Sequence, residues 1–480
     1  MRTPRVMIAA VKSGSGKTTI TCALLKRLLQ KGYETMAFKC GPDYIDPMFH
    51  NQVLHIPTRN LDSYFSKEEQ IKALFLLDQK EGQISVIEGV MGLYDGLGGI
   101  LEEGSSYHLA SILHTPIVLV VDANGMGRSV IPLLAGFMKY DSKNLIKGVI
   151  LNQTSEMFLA SIAPEIEREL GITVYGCYPK QKDMQLQSRH LGLVLPEEIK
   201  ELDQMLCQAG DILEEHVAID AIIEEAKMAP EIVMSQEEIE RQIYGAYDLL
   251  YNNTPLPDKS DNQRYKTNKQ VRIAVAKDEA FCFYYRDNLR ILERIGAKLV
   301  PFSPIHDTAL PENVQGLLLG GGYPELYAAQ LAQNKSMRNA IAAAINGGLP
   351  SVAECGGFMY LHQNLYDEAH QCYPMVGVIP ADVTYTGKLV RFGYMELTEK
   401  QPCFLQEHTT IRGHEFHYYD STANGTACVA AKPVTGRSWE CIQEDARHFW
   451  GFPHLYYASN VAFAEHFIEV CRKKLQDCCE

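Results

Sequence analysis

Val6-Met7-Ile8-Ala9-Ala10-Val11-Lys12-Ser13-Gly14-Ser15-Gly16-Lys17-Thr18-Thr19 decides the fold of the first half of the chain. The apolar run reads as a buried strand. The Gly/Ser turn after it opens a stretch with helical periodicity over residues 18–31, which stops at Gly32. A strand, a glycine-rich turn and a helix N-terminus in that order let successive backbone N–H groups converge on phosphate oxygens. Gly14, Ser15, Gly16, Lys17, Thr18 and Thr19 are therefore read as an ATP-binding loop, with Lys17 supplying charge and the Thr18 hydroxyl a ligand for Mg2+. The spacing departs from the common loop, because Val11 stands where a glycine is usual and Lys12 precedes Gly16 by four residues.

Outward from this loop, short apolar runs at residues 33–38, 84–87, 117–121, 149–151 and 173–175 alternate with amphipathic stretches. Such alternation predicts a mostly parallel sheet covered on both faces. Residues 197–250 carry no strand signal and read as helical. The Pro/Asn-rich segment around Asn252-Asn253-Thr254-Pro255-Leu256-Pro257 reads as a linker. Fresh strands at 271–276, 317–319 and 350–353, with a helical stretch at 335–346, predict a second α/β unit. The expected division is a synthetase domain over 1–250, a linker over 251–270, a second domain over 271–465 and a tail over 466–480.

Composition narrows the function classes. Of 480 residues, 46% are hydrophobic and 22% charged, ordinary for a globular protein of two or three domains. A net charge of −14 argues against a nucleic-acid partner, which needs a basic face. No segment has the apolar length of a membrane span, and the N-terminal apolar run is too short for a signal peptide. The 13 cysteines lack disulfide-like spacing, as expected of reduced thiols in a cytoplasmic protein. Cys471, Cys478 and Cys479 read as part of a frayed tail rather than a metal site.

An ATP site needs acids to hold its metal. Glu88 closes one strand and precedes Gly89-Val90-Met91-Gly92-Leu93-Tyr94-Asp95-Gly96. Asp43 and Asp46 follow another in Lys39-Cys40-Gly41-Pro42-Asp43-Tyr44-Ile45-Asp46-Pro47. Carboxyl ends of parallel strands are where ligands of open α/β sheets bind. Thr18, Asp43 and Glu88 are the expected Mg2+ residues.

In the second unit, Val352-Ala353-Glu354-Cys355-Gly356-Gly357 reads as a strand, a nucleophile and two glycines that permit a sharp turn. A helix N-terminus there would favour thiolate. Gly320-Gly321-Gly322-Tyr323-Pro324-Glu325 follows another strand, and the backbone N–H groups of Gly321, Gly322 and Gly356 are the expected oxyanion donors. His454, in Trp450-Gly451-Phe452-Pro453-His454, is the expected base, with His414 and His417 as rivals. Cys355 and His454 would form and break a glutamyl thioester and release ammonia.

Lys12 with Gly14-x-Gly16-Lys17-Thr18 resembles the deviant phosphate loop of the MinD and dethiobiotin synthetase class. The Lys39 and Glu88 segments resemble signatures of the cobyrinic acid a,c-diamide synthase family, and the likeness runs over about residues 4–460. The fold implied is α/β: a P-loop, mostly parallel sheet domain of the dethiobiotin synthetase and MinD type, followed by a class I glutamine amidotransferase domain of flavodoxin-like form. The activity implied is that of a carbon–nitrogen ligase. It would use ATP, Mg2+ and L-glutamine to amidate the a and c acetate side chains of a cobalt corrinoid, through an acyl phosphate, in cobalamin biosynthesis. Lys39, Asp43, Tyr44, Asp46, Glu88 and Asp95 would then belong to the synthetase site.

Class I amidotransferases usually place a glutamate two residues past the histidine, where this chain has Tyr456. The branch found in cobyrinate and cobyrate synthases similarly lacks it, so what orients His454 stays open. Enzymes acting on nickel-sirohydrochlorin or hydrogenobyrinate share these motifs, and cobyrate synthase resembles the two acid segments less well. A MinD-like ATPase switch would leave the second unit unexplained. In MinD-type proteins the equivalent of Lys12 crosses a dimer, so a homodimer is one expectation, which dethiobiotin synthetase-like enzymes need not share.

Overall fold

The computed structural model describes residues 3–181, 196–244 and 270–477. The expected linker, except its last residue, and Cys478 and Cys479 lie outside the described residues. The chain divides into two compact units, Met1–Ile243 and Tyr244–Glu480.

The first unit is built on seven strands: β1 Arg5–Ala10, β2 Thr35–Cys40, β3 Thr58–Leu61, β4 Ile84–Glu88, β5 Ile117–Asp122, β6 Ile146–Asn152 and β7 Thr173–Tyr178. Their order is β3-β2-β4-β1-β5-β6-β7, and every pairing is parallel. β1 is buried along its whole length, as its unbroken apolar run requires of a central strand. Because all strands run one way, the loops after β1, β2, β4, β5, β6 and β7 leave from the same sheet edge. The chain order reverses around β1, which places the phosphate loop at the switch point.

The sequence reading lacked β3. Its residues, Thr58-Arg59-Asn60-Leu61, form no apolar run, and the strand pairs only with β2 at the sheet's rim. The helix Lys17–Gln30 buries Ile20, Leu24, Leu25 and Leu28 in the same core as Leu206, Ala209 and Leu213 of the helix Pro196–His216. Helices Ile219–Lys227 and Gln236–Tyr244 follow, in keeping with the helical reading up to residue 244.

The second unit carries a six-stranded sheet in the order Ala297–Phe302, Val271–Ala276, Gly316–Leu319, Ser351–Glu354, His448–Gly451, Gln443–Glu444. The first five strands are parallel, and the last pairs antiparallel at the edge. The sequence reading did not anticipate two further sheets within residues 362–455. One is the five-stranded antiparallel sheet Ser438–Cys441, Cys428–Ala431, Arg391–Glu399, Ile411–His417, His454–Leu455. The expected tail is also corrected. Residues 466–477 continue the helix Ala462–Asp477, whose Phe463, Phe467, Ile468 and Cys471 recur at helical spacing and are buried. Among the described residues, no helix is long and apolar enough to cross a membrane.

Candidate active sites

The phosphate loop is held open by backbone geometry. Gly14 and Gly16 have φ of 79° and 89°, which favours glycine, and Gly16 caps the helix Lys17–Gln30. The Ser15 hydroxyl donates to Lys12 O at 3.0 Å, and Asn152 Nδ2, from the end of β6, donates to Ser15 O at 2.8 Å. The amide of Asn152 fills the space a Cβ on Gly16 would need, 2.1 Å away. Lys12 is exposed, whereas Lys17 is buried and its pKa lowered by that burial.

Behind the loop lies a buried ionic cluster. Thr18 Oγ1 donates to Glu88 Oε1 at 2.6 Å, joining the P-loop helix to the end of β4. Lys39 Nζ, at the end of β2, meets Glu88 Oε1 at 3.0 Å, Asp43 Oδ2 at 3.7 Å and Asp46 Oδ2. Burial alone would lower the Lys39 pKa, but Glu88, Asp46 and Asp43 together hold it well above the ordinary lysine value. The same burial, with repulsion from Asp46, pushes Asp43 up to about 6 and Glu88 up to about 7. Among the described residues, Glu88 Oε2 is a buried oxygen without a hydrogen-bond partner, and it lies 3.6 Å from His50 Nε2. Asp43 Oδ1 accepts the Ile45 N–H, and Tyr44 caps the helix Ile45–Gln52. Asp95 turns back to accept the Gly92 N–H at 2.9 Å, which shapes the loop after β4.

Among the described residues, no three His, Cys, Asp or Glu form a metal-holding group. Mg2+ does not require one, since it is commonly held by one or two carboxylates, water and phosphate oxygens. The Glu88 carboxyl and the adjacent Thr18 hydroxyl are hard oxygen donors that fit this pattern. One residue beyond Asn152 a cavity of about 470 Å³ begins, lined by Gly125 and Met126 after β5, Gln153 and Phe158 after β6, and Pro179 and Lys180 after β7.

In the second unit, Cys355 sits between the strand Ser351–Glu354 and the helix Gly356–Leu361 with φ 47° and ψ −104°. A non-glycine residue in that region costs of order 1–3 kcal/mol and persists only where its surroundings enforce it. Here they do. The Cys355 N–H is bound by Gly451 O at 2.8 Å. A Cβ on Gly357 would lie 2.1 Å from Leu319 O, and one on Gly356 would lie 3.1 Å from Gly322 N. Gly356 thus lies against the Gly322 backbone at the turn, and Gly321 lies against the His454 ring.

The thiolate expectation is corrected. Burial raises the Cys355 pKa, Glu325 and Glu415 add to it, and a hydrogen bond from Gly356 N–H offsets only part. The helix that follows has six residues, too short a dipole to prevail. A buried thiol needs a neutral base. His454 is a buried imidazole held well below its ordinary pKa by burial and then by His414 and His417.

The three histidines differ in what binds them. His417 is committed to Glu415 Oε2 at 3.0 Å and Tyr419 O at 2.7 Å, and stacks on Phe452. His414 meets Tyr285 OH at 3.1 Å and stacks on His454 with ring centroids 4.9 Å apart. His454 itself lies against Gly321 and Glu354, with Nδ1 4.0 Å from Glu354 Oε2.

Residues 6–194 match the CobQ/CobB/MinD/ParA nucleotide binding domain, and residues 272–451 the CobB/CobQ-like glutamine amidotransferase domain. A protein of Caldanaerobacter subterraneus subsp. tengcongensis named cobyrinate a,c-diamide synthase is 38% identical over 91% of this chain and 91% of its own length. The chain belongs to the cobyrinate a,c-diamide synthase family. Members from Priestia megaterium (35% identical) and Thermoplasma volcanium (37%) each align over 98% of both chains. The family resemblance and the α/β, glutamine-dependent ligase reading are thereby borne out.

Several site residues were missed from the sequence. Asn152 and the cavity beyond it carry no motif. Asn60, which donates to Gly41 O and Asp43 O and so braces the loop after β2, is a lone amide in an unrecognised strand. His50, fully buried beside Glu88 and Cys22, is hidden within a helix. Glu354, which ends the strand Ser351–Glu354, carries no motif of its own.

Proposed function

We propose that this chain amidates the a and c acetate carboxylates of cobyrinic acid, using ATP to activate each carboxylate and L-glutamine as the nitrogen source. One observation carries the reading. A single chain of this family holds both a phosphate loop locked to a strand-end carboxylate, Thr18 to Glu88, and, in its second unit, a strained cysteine turn and a buried neutral histidine packed against Gly321.

In the first unit, the loop amides and Lys17 hold the phosphates, and the cavity past Asn152 receives the nucleobase. Thr18 and Glu88, with Asp43 nearby, would hold Mg2+, which supplies charge neutralisation on the phosphates. A substrate carboxylate oxygen attacks the γ-phosphorus, forming an acyl phosphate and releasing ADP. Lys39 keeps Asp43, Asp46 and Glu88 in place, and Tyr44 and Asp95 border the substrate's approach.

In the second unit, His454 takes the proton from Cys355 as sulfur attacks the glutamine carboxamide carbon, and the developing oxyanion meets the Gly321, Gly322 and Gly356 backbone. His454 passes that proton to the leaving nitrogen, ammonia departs, and water hydrolyses the thioester to glutamate. Ammonia then attacks the acyl phosphate carbon, expelling phosphate and leaving the amide.

A cytoplasmic location without a nucleic-acid partner agrees with the acidic composition. The exposed Lys12 supports a homodimer assembled around ATP, which sedimentation with and without nucleotide would test. The reaction is tested with ATP, Mg2+ and glutamine, offering cobyrinic acid and nickel-sirohydrochlorin separately. Two successive amidations of cobyrinic acid are expected by mass spectrometry. Product from the nickel macrocycle alone would move the substrate, and product from neither would overturn the reading.

A further inference from the structure

Position 456, where a triad carboxylate would stand, holds a tyrosine whose hydroxyl donates to Asp287 Oδ2 at 3.2 Å. The base is therefore oriented from elsewhere. We propose that Glu354, the residue immediately before the nucleophile, positions His454 by accepting its Nδ1–H at Oε2, which leaves Nε2 unprotonated to receive the Cys355 proton. This rests on the reading of Cys355 and His454 as nucleophile and base.

Four observations carry it. Both side chains are buried, Glu354 at 7% and His454 at 3% exposure, so a carboxyl oxygen there accepts with little competition from water. The separation of 4.0 Å between Nδ1 and Oε2 is short of a hydrogen bond, but such contacts are often long without substrate and tighten in the complex.

The acid is itself fixed by the histidine's own segment. Tyr457 OH donates to Oε1 at 3.2 Å, and the Leu455 backbone N–H reaches the same carboxyl. The imidazole is also confined on its other sides: Gly321 faces its Cε1 edge, and His414 stacks on it at an interplanar angle of 14°. The Glu354 carboxyl that faces Nδ1 comes from the nucleophile's strand instead of the histidine's.

The arrangement also explains a conflict in the sequence. A buried glutamate beside a buried cysteine disfavours thiolate, and Glu354 contributes to the raised thiol pKa. That cost is offset once the proton has moved, because a carboxyl oxygen then accepts from an imidazolium N–H.

The test compares glutamine hydrolysis in the full chain for Glu354→Gln, His454→Ala, Cys355→Ser and the double variant Glu354→Gln/His454→Ala. Glu354→Gln is expected to lower kcat by about 10²-fold or more, with KM for glutamine little changed. In the His454→Ala background the same substitution is expected to cost almost nothing, since a positioning residue acts only through the residue it positions.

The acid limb of the pH profile is expected to shift in Glu354→Gln. The other groups around the pair are Tyr284 and Tyr457 beside Glu354, His414 and His417 beside His454, and Glu325 and Glu415 beside Cys355. Wild-type kcat in Glu354→Gln, or an equal loss with and without His454, overturns the proposal while the nucleophile and base stand. Glutaminase activity surviving in Cys355→Ser overturns the underlying reading instead. Should Glu354→Gln fail to fold, nitrogen-15 NMR of histidine-labelled wild-type protein decides. A His454 signal of the Nδ1–H tautomer supports the proposal, and the Nε2–H tautomer overturns it.

Discussion

Gly321 lies so close to His454 that a Cβ on it would stand 2.3 Å from the ring's Cε1, and 3.2 and 3.3 Å from the two nitrogens. His454 is fully packed, so it cannot retreat without leaving Glu354 or His414. Gly321→Ala is expected to displace the imidazole by around an ångström, and shifts of that size at a reacting group cost about 10²-fold. Glutamine-dependent amidation should fall by that order while amidation from ammonium chloride is kept. Equal loss of both activities would mean that Gly321 serves the fold and not the glutaminase.

Lys39 is the cation in a group of three carboxylates. Removing one partner of a buried ionic cluster leaves charge uncompensated, at a cost of about 3–5 kcal/mol. Lys39→Met should therefore destabilise the first unit, and more at pH 8 than at pH 5.5. Burial already raises Asp43 to about 6 and Glu88 to about 7, and without Lys39 both rise further. The folded variant then retains protons that the unfolded chain releases, so its stability falls as pH rises through that range. Urea titrations at the two pH values measure the difference. A loss that does not depend on pH would assign Lys39 a packing role.

The two motifs could be read because each is a dense local pattern. An unbroken apolar strand ending in Gly14, Gly16 and Lys17, or in Cys355, Gly356 and Gly357, has few other structural solutions. What escaped the reading is spread across the chain. Asn152 reaches Ser15 from a strand 137 residues away, and nothing around it forms a pattern. β3 is short, and both it and the strand Ile411–His417 are polar, with Arg59, Asn60, His414, Glu415 and His417 placed by pairing and by buried partners rather than by apolar alternation. Glu354 was overlooked because triad logic looks along the chain from the histidine, whereas the acid comes across the sheet from the strand beside His448–Gly451. The thiolate expectation weighed a helix dipole and omitted the burial that outweighs it.

Burial also makes Glu354 a marker of stability against pH. Its carboxyl is pushed up to about 8, with the Tyr457 and Leu455 hydrogen bonds acting in the opposite direction. Between the ordinary glutamate value, about 4.3, and that point, the folded protein holds a proton the unfolded chain has lost. Stability must therefore decline with rising pH over this window. Glu354→Gln has no such proton and can still accept from Tyr457. The melting temperature of the variant relative to wild type should rise between pH 5 and 8.5 by a few degrees, at about 2–4 °C per kcal/mol for units of this size. A constant gap between the two proteins would show that the carboxyl ionises normally.

Asn152 connects the phosphate loop to the cavity that follows it. Its Nδ2 donates to Ser15 O, its Oδ1 accepts the Gln153 N–H, and its side chain occupies the space beside Gly16. Through these contacts one amide sets both the curvature of the loop and the path of the chain into the cavity wall. Asn152→Ala would free the Ser15 carbonyl and leave a void next to Gly16, so the loop would sample conformations that do not present its N–H groups together. A loop that is competent only part of the time binds more weakly in proportion to that fraction. ATP affinity, measured by calorimetry, is expected to fall about tenfold, the effect of losing roughly 1.4 kcal/mol. Glutamine hydrolysis measured without ATP should be unchanged, because Cys355, Glu354 and His454 lie in the other unit. ATP binding at wild-type strength would mean that the glycine geometry alone holds the loop, and that Asn152 serves only the strand end.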